Sequence, residues 1–226
     1  MTPIITKIPL GITNCYILGE KKYILIDAGP PGSQSQFLKL LTKEHIDPTN
    51  IHFIFITHGH WDHYGSLKAI KSITGAKAGV SHRERTWIQE GKNMVPSALG
   101  LQGRILAGLM KILKNSVTMP KTKVEISIPD TGMDLSEYEI DGKIFHTPGH
   151  TPGSMSLILE SGEAFVGDLC MTGFPQLRKT GLPVVGDDLG QVKESWKILL
   201  ENNVTKIYPA HGKPISSAIL EKTLNN

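Results

Sequence analysis

Two cysteines in 226 residues, Cys15 and Cys170, are too few and too far apart for a disulfide framework or a cysteine-rich zinc module. They read as reduced, packed thiols. No apolar run approaches ~18 residues, which excludes a helix that spans a membrane. The first twenty residues lack the basic start, long apolar stretch and small-residue cleavage site of a secretory signal, so a cytoplasmic location is expected. Net charge is small: +3 at pH 7 is too little to imply nucleic-acid binding. Low-complexity tracts are missing too, and 39% hydrophobic with 20% charged residues is the balance of a globular chain rather than a disordered one. The length suffices for a substantial core in one large domain or two small ones.

What is present is an alternation of short β-branched runs with helical patterns. The segments 13–18 and 22–27 read as a hairpin around Gly19, Glu20 and Lys21. Residues 33–45 place Phe37, Leu38, Leu40 and Leu41 at helix spacing, and 62–75 do the same with Leu67, Ile70 and Ile73 before Gly75. Strands are predicted at 51–57, 77–82, 154–160, 163–168 and 205–211, the last before a closing helix. A hairpin is predicted over Asp141-Gly142. Each half contains an apolar strand ending in an acid, Asp27 in one and Asp168 in the other. Two such halves suggest two packed sheets with helices outside.

Residues 83–121 depart from this pattern, with helix-like stretches and no strand signal. Seven Lys or Arg against Glu84 and Glu90 give this insert +5, which leaves −2 for the rest of the chain. Ile105, Leu106, Leu109, Ile112 and Leu113 fall at helical spacing among basic residues. Three readings stay open: an amphipathic helix packed on the core, a lid over a site, or a surface for a second copy of the chain in a homodimer.

The densest chemistry is "THGHWDHYG" at 57–65, directly after a buried strand. Histidine nitrogen and carboxylate oxygen are ligands that Zn²⁺ and its first-row neighbours accept well. His58 and His60, two apart, project to one side if the segment stays extended, while Asp62 and His63 fall where the chain turns into a helix. One motif can thus begin two metal sites, with Gly59 leaving room for close backbone approach. Further ligands stand just past other strands: His150 in "HTPGHTPGS", Asp168 in "VGDLC" and His211 in "YPAHGKP".

These motifs, in this order and approximate spacing, resemble the metallo-β-lactamase superfamily over nearly the whole chain. The resemblance implies a single domain over 1–226, an α/β four-layer αββα sandwich, with 83–121 as its least typical part. Carried over position by position, it implies that His58, His60 and His150 hold a first metal. Asp62, His63 and His211 hold a second, and Asp168 bridges. The cofactors implied are two divalent ions, foremost Zn²⁺, with Fe or Mn²⁺ accepted by the same ligands. Two cations about 3.5–4 Å apart repel, and a bridging carboxylate and hydroxide offset this. That hydroxide, oriented in part by Asp62, is expected to attack a carbonyl or phosphoryl centre of a small-molecule substrate.

Within the superfamily, the bridging Asp168 and the 146–154 turn resemble the glyoxalase II and acyl-homoserine lactonase group. Asp168 counts against β-lactam hydrolysis, His60 against the flavin-linked di-iron reductases, and "GDLCMTGFPQL" against the persulfide dioxygenases. Only 15 residues follow His211, too few for the glutathione-gripping region of glyoxalase II, so a lactonase or small thioesterase is favoured. The alternatives are a phosphodiesterase or nuclease drawn by the +5 insert, and a non-catalytic metal-binding module. His45, His52 and His82 read as structural or surface residues, Trp61 as packing, and Cys170 as no ligand. His146 reads as a strand-end residue over a group supporting a ligand. Asp27 is balanced between a turn-former and a carboxylate holding a ligand histidine.

Overall fold

The computed structural model describes residues 3–95, 97–99, 103–105, 107–108, 117–173 and 181–225. Twelve strands among these form two six-stranded sheets. The first contains β1 (Ile5–Leu10), β2 (Thr13–Gly19), β3 (Tyr23–Ile26), β4 (Ile51–Phe55), β5 (Lys77–Ser81) and β6 (Ile126–Ile128), in that order. Its first three strands are antiparallel, and β3 through β6 run parallel. The second contains β7 (Met133–Asp134), β8 (Gly142–His146), β9 (Met155–Leu159), β10 (Glu163–Phe165), β11 (Lys206–Tyr208) and β12 (Ile215–Ser216), ordered in reverse. There β10 and β11 are parallel and the other pairs antiparallel.

Period-two patterning explains the layers. From β2, β3 and β4, Tyr16, Leu18, Ile24, Ile26, Phe53 and Phe55 point between the sheets, where they meet Ile144, Met155, Leu157, Leu159 and Phe165. The intervening Ile17, Leu25 and Ile54 point the other way, onto α1 (Gln34–Lys43) and α3 (Leu67–Thr74) through Phe37, Leu41, Leu67 and Ile70. On the far side Ile158, Ala164 and Ile207 pack under α5 (Leu189–Glu201) and α6 (Ala218–Leu224) through Trp196, Leu199 and Leu220. The result is the expected αββα sandwich. At the inter-sheet core Phe53 stacks on Tyr138 with ring centroids 4.8 Å apart. Truncating so buried a ring costs about 3–5 kcal/mol.

Two local expectations change. The helix predicted at 62–75 is broken into α2 (Trp61–Tyr64) and α3. Gly65 lies against Pro31, and the Ser66 hydroxyl donates to Pro30 O and accepts from Ser33 N, which turns the chain between the two pieces. The hairpin predicted over Asp141-Gly142 does not close there. Strand β8 pairs instead with Met133–Asp134 through a 3₁₀ turn at Ser136–Tyr138, because Tyr138 and Ile140 are drawn into the inter-sheet core. Burial of two large side chains outweighs the local turn preference.

The parallel strands place their C-terminal ends on one edge. Asp27 follows β3, His58 and His60 follow β4, Glu84 follows β5, Asp168 follows β10 and His211 follows β11. Two backbone hydrogen bonds join the sheets at this edge, Met155 N to Thr57 O at 3.0 Å and Asn14 N to Ala210 O at 2.8 Å. No helix among the described residues is long and apolar enough to cross a membrane.

Candidate metal centre

Two groups of inward-facing ligand atoms meet at this edge. In the first, His58 Nε2, His60 Nδ1 and His150 Nε2 form a triangle with sides of 2.9, 3.0 and 3.1 Å. The three rings are mutually near-perpendicular, at 86°, 86° and 89°. Nitrogens arranged like this cannot all hydrogen bond to one another, yet they converge on one point. Ligand nitrogens around a tetrahedral ion bonded at about 2.0–2.1 Å stand only slightly further apart, about 3.3 Å.

The second group is mixed. Asp62 Oδ2 is 3.1 Å from His211 Nε2 and 3.7 Å from His63 Nε2. Asp168 lies between the groups. Its Oδ2 is 3.5 Å from His150 Nε2, and its Oδ1 is 3.4 Å from His63 Nε2 and 3.3 Å from His211 Nε2. His63 Nε2 and Asp168 Oδ1 are buried without a hydrogen-bond partner. Orphaned buried polar atoms are rare, and a cation between them removes the penalty. The donor set, five imidazoles with two carboxylates, therefore fits divalent metal, and the cluster is able to bind it.

The outer ring nitrogens are tied down, which aims the inner ones. Nδ1 of His63 is 2.9 Å from Asp27 Oδ2, Nδ1 of His150 is 2.9 Å from Val185 O, and Nδ1 of His211 is 3.0 Å from Ile12 O. Thr57 donates to Asp27 from both its backbone nitrogen (2.9 Å) and its hydroxyl (3.0 Å), and that hydroxyl lies 3.2 Å from His58 Nδ1. Asp27 itself sits at φ 61°, a conformation aspartate tolerates better than most. Its carboxylate holds the ligand motif, so the balance between its two readings tips to the supporting one.

The electrostatics of the two groups differ. Burial and the crowding of imidazoles push His58 well down and His60 down to about 3, and burial lowers His150. In the second group burial opposes ionisation, but neighbouring opposite charges outweigh it. Asp168 and Asp62 raise His211 to about 10, Asp27 and Asp62 raise His63 well above the ordinary range, and His63 and His211 lower Asp62 to about 2. The first group is neutral imidazole; the second is ion-paired.

Other residues fall where the motifs left them. Trp61 packs against the outer core and Cys170 against α5 and α6, so neither joins the ligand set. His45 and His52 are exposed away from the centre, and exposed His82 pairs with Asp130 at 2.9 Å. His146 ends β8, and its Nε2 also donates to Pro152 O at 2.9 Å within the turn that carries His150. Gly59 has a different purpose from the expected one: a Cβ there meets Glu84 Oε2 and Trp87 Cε3 at 3.1 Å. Glu84, one of the two acids of the basic insert, is fully buried beside the centre, and no motif reveals it. Ile12 and Thr13, whose hydroxyl donates to Asp62 Oδ2 at 3.3 Å, are further residues that the motifs do not reveal. Of the insert, 96, 100–102, 106 and 109–116 lie outside the described residues, and with them Leu106, Leu109, Ile112 and Leu113.

Comparison with known proteins agrees with this geometry. A probable metallo-hydrolase of Methanocaldococcus jannaschii is 27% identical over 205 residues, covering 89% of this chain and 88% of its own. Among solved structures, the BLEG-1 B3 metallo-beta-lactamase superposes with a TM-score of 0.71 at 23% identity, covering 97% of each chain. An archaeal superfamily protein from Sulfolobus tokodaii, ST1585, does so with a TM-score of 0.66 at 23% identity, covering 98% of this chain and 84% of its own. At that identity the two structures speak for the fold alone. Residues 8–211, which span every ligand of the two groups, match the metallo-beta-lactamase superfamily, and the chain belongs to it.

Proposed function

We propose that this protein is a dinuclear metal-dependent hydrolase acting on the carbonyl of a small ester, thioester or lactone. His58, His60 and His150 would hold one ion, Asp62, His63 and His211 the other, with Asp168 placed to serve both. The observation that carries this reading is the Asp168 carboxylate, with one oxygen facing each group at 3.3–3.5 Å. When bound, two divalent cations, foremost Zn²⁺, supply polarisation of the substrate oxygen and a water acidic enough to attack near neutral pH.

The chain's own residues do the rest. Asp27 and Thr57 fix the His58–His63 motif, and the carbonyls of Val185 and Ile12 fix His150 and His211. Asp62, kept ionised at neutral pH, accepts a hydrogen bond from the attacking water and orients it. The insert 83–121 borders the mouth: Met94 bridges His60, Ala98 bridges Val185, and Leu99 N donates to Val184 O at 3.2 Å. The exposed side chain of Ile12, whose carbonyl holds His211, offers apolar contact to an acyl group. These features support a lid reading of the insert within a single domain.

The test is metal analysis after reconstitution with zinc, iron or manganese, followed by a panel of thioesters, lactones, a β-lactam and bis-p-nitrophenyl phosphate. Acyl substrates are expected to turn over, and Asp62→Ala and His60→Ala to abolish turnover in folded protein. Full activity after chelation, or turnover confined to the phosphodiester, overturns the reading.

A further inference from the structure

Glu84 is a buried carboxylate that the chemistry above does not use. It stands at the N-cap of α4 (Arg85–Glu90) and is 0% exposed. Its Oε2 accepts the backbone N–H of Gly59, the residue between His58 and His60. Its Oε1 accepts the backbone N–H of Gly153 at 2.9 Å. Gly153 closes the turn that carries His150: Gly149 N donates to Thr151 O, and Thr147 N donates to Ser154 O. One side chain therefore holds both loops that supply the three imidazoles, one loop from each sheet. The glycines make this fit possible. A Cβ on Gly153 falls 2.6 Å from Glu84 Cγ, and one on Gly59 falls 3.1 Å from Oε2.

We infer that Glu84 is a positioning residue for the three-histidine metal position, setting the separation of the His58–His60 loop from the His150 loop. The inference rests on the dinuclear reading. A second link between the same segments, Met155 N to Thr57 O at 3.0 Å, keeps the sheets joined without Glu84. The Asp62, His63 and His211 group has separate supports in Asp27, Thr13 and Ile12. Disturbing Glu84 therefore weakens one metal position and spares the other. An amide in place of the carboxylate turns an N–H toward one of the two backbone donors, which opens the clamp while keeping its size. Loss of an outer-shell partner typically weakens metal binding about 10–100-fold.

The experiment is competition of Zn²⁺ between the metal-free protein and a chromophoric chelator, for wild type, Glu84→Gln, His150→Ala and the double variant. Melting of each metal-free protein is recorded alongside. Wild type is expected to bind two ions. Glu84→Gln should keep one at wild-type affinity and bind the other about 10–100-fold more weakly, with no further loss at the retained position in the double variant. Gly153→Ala, which displaces the carboxylate without altering it, should do the same if Glu84→Gln does not fold. Equal weakening of both positions, unchanged affinities with a lowered melting temperature, or failure of both variants to fold makes Glu84 a merely structural residue and overturns the inference. A wild type that binds fewer than two ions instead overturns the dinuclear reading beneath it.

Discussion

The two candidate metal pockets lie a few ångströms apart and are built from opposite materials. The His58–His60–His150 pocket is made of imidazoles whose charged forms are suppressed by burial and by one another. The Asp62–His63–His211 pocket carries its own countercharges, with imidazoles raised and Asp62 lowered. A cation entering the first meets ready lone pairs but little negative charge beyond Asp168. A cation entering the second meets carboxylates but must displace protons. Asp168 is the one ligand that both share, so the largest effect in the molecule is expected there. Asp168→Ala should cost both ions and turnover together, measured as metal content and rate on the same preparation. Retention of one tightly bound ion would show that the pockets stand independently.

Next in size is Asp27→Ala, which frees His63 Nδ1 and the Thr57 donors. Affinity at the mixed pocket should fall about 10–100-fold, with a smaller loss at the imidazole pocket through Thr57 and His58. Competition titration measures both. Metal uptake at the mixed pocket should also release ~1–2 protons near neutral pH and tighten as pH rises, because His63 and His211 must lose theirs. Uptake by the imidazole pocket should release almost none. A pH-stat during zinc addition separates the two, and equal release at both pockets would remove the contrast.

The same contrast should appear in stability without metal. His211 is raised from 6.5 to about 10, so its contribution is complete below about pH 6.5 and is lost as pH climbs through about 10. His60 is lowered from 6.5 to about 3, so its contribution is complete above about pH 6.5 and is lost as pH falls through about 3. Melting of chelated protein should therefore decline at both extremes, and His211→Gln should blunt the alkaline decline only. Smallest of all, Thr13→Val removes one 3.3 Å hydrogen bond to Asp62. It should weaken the mixed pocket by about two- to tenfold in the same titration, corresponding to about 0.5–1.5 kcal/mol, and leave the other unchanged.

The seven candidate ligands stand out in the sequence because each is a side chain of a distinctive type just past an apolar strand, and the structure brings all seven together at one edge. The sandwich was legible because β2, β3 and β4 alternate and their helices show one apolar face. The supports were less so. His150 and His211 are oriented by the carbonyls of Val185 and Ile12, and a carbonyl carries no residue identity. Glu84 lies in a run of basic residues, where a solvated surface is the ordinary reading, and only tertiary packing buries it against two distant glycines. The Asp141-Gly142 turn signal misled because Tyr138, stacked on Phe53, contributes more by burial than the turn does. Strands β1, β6, β7 and β12 and helix α5 are additions to the expected elements.

The contact between His211 and the tip of the β1–β2 hairpin joins positions 199 residues apart. Synthesis runs from one end, so the mixed pocket does not exist until the ribosome has passed residue 211, whereas the three imidazoles of its neighbour are all made by residue 150. A nascent chain thus carries a partial metal-binding site before it carries a complete one. Completion of the mixed pocket coincides with closure of the fold, since Asn14 and Tyr16 bond the backbone of residues 209–212 at the same place.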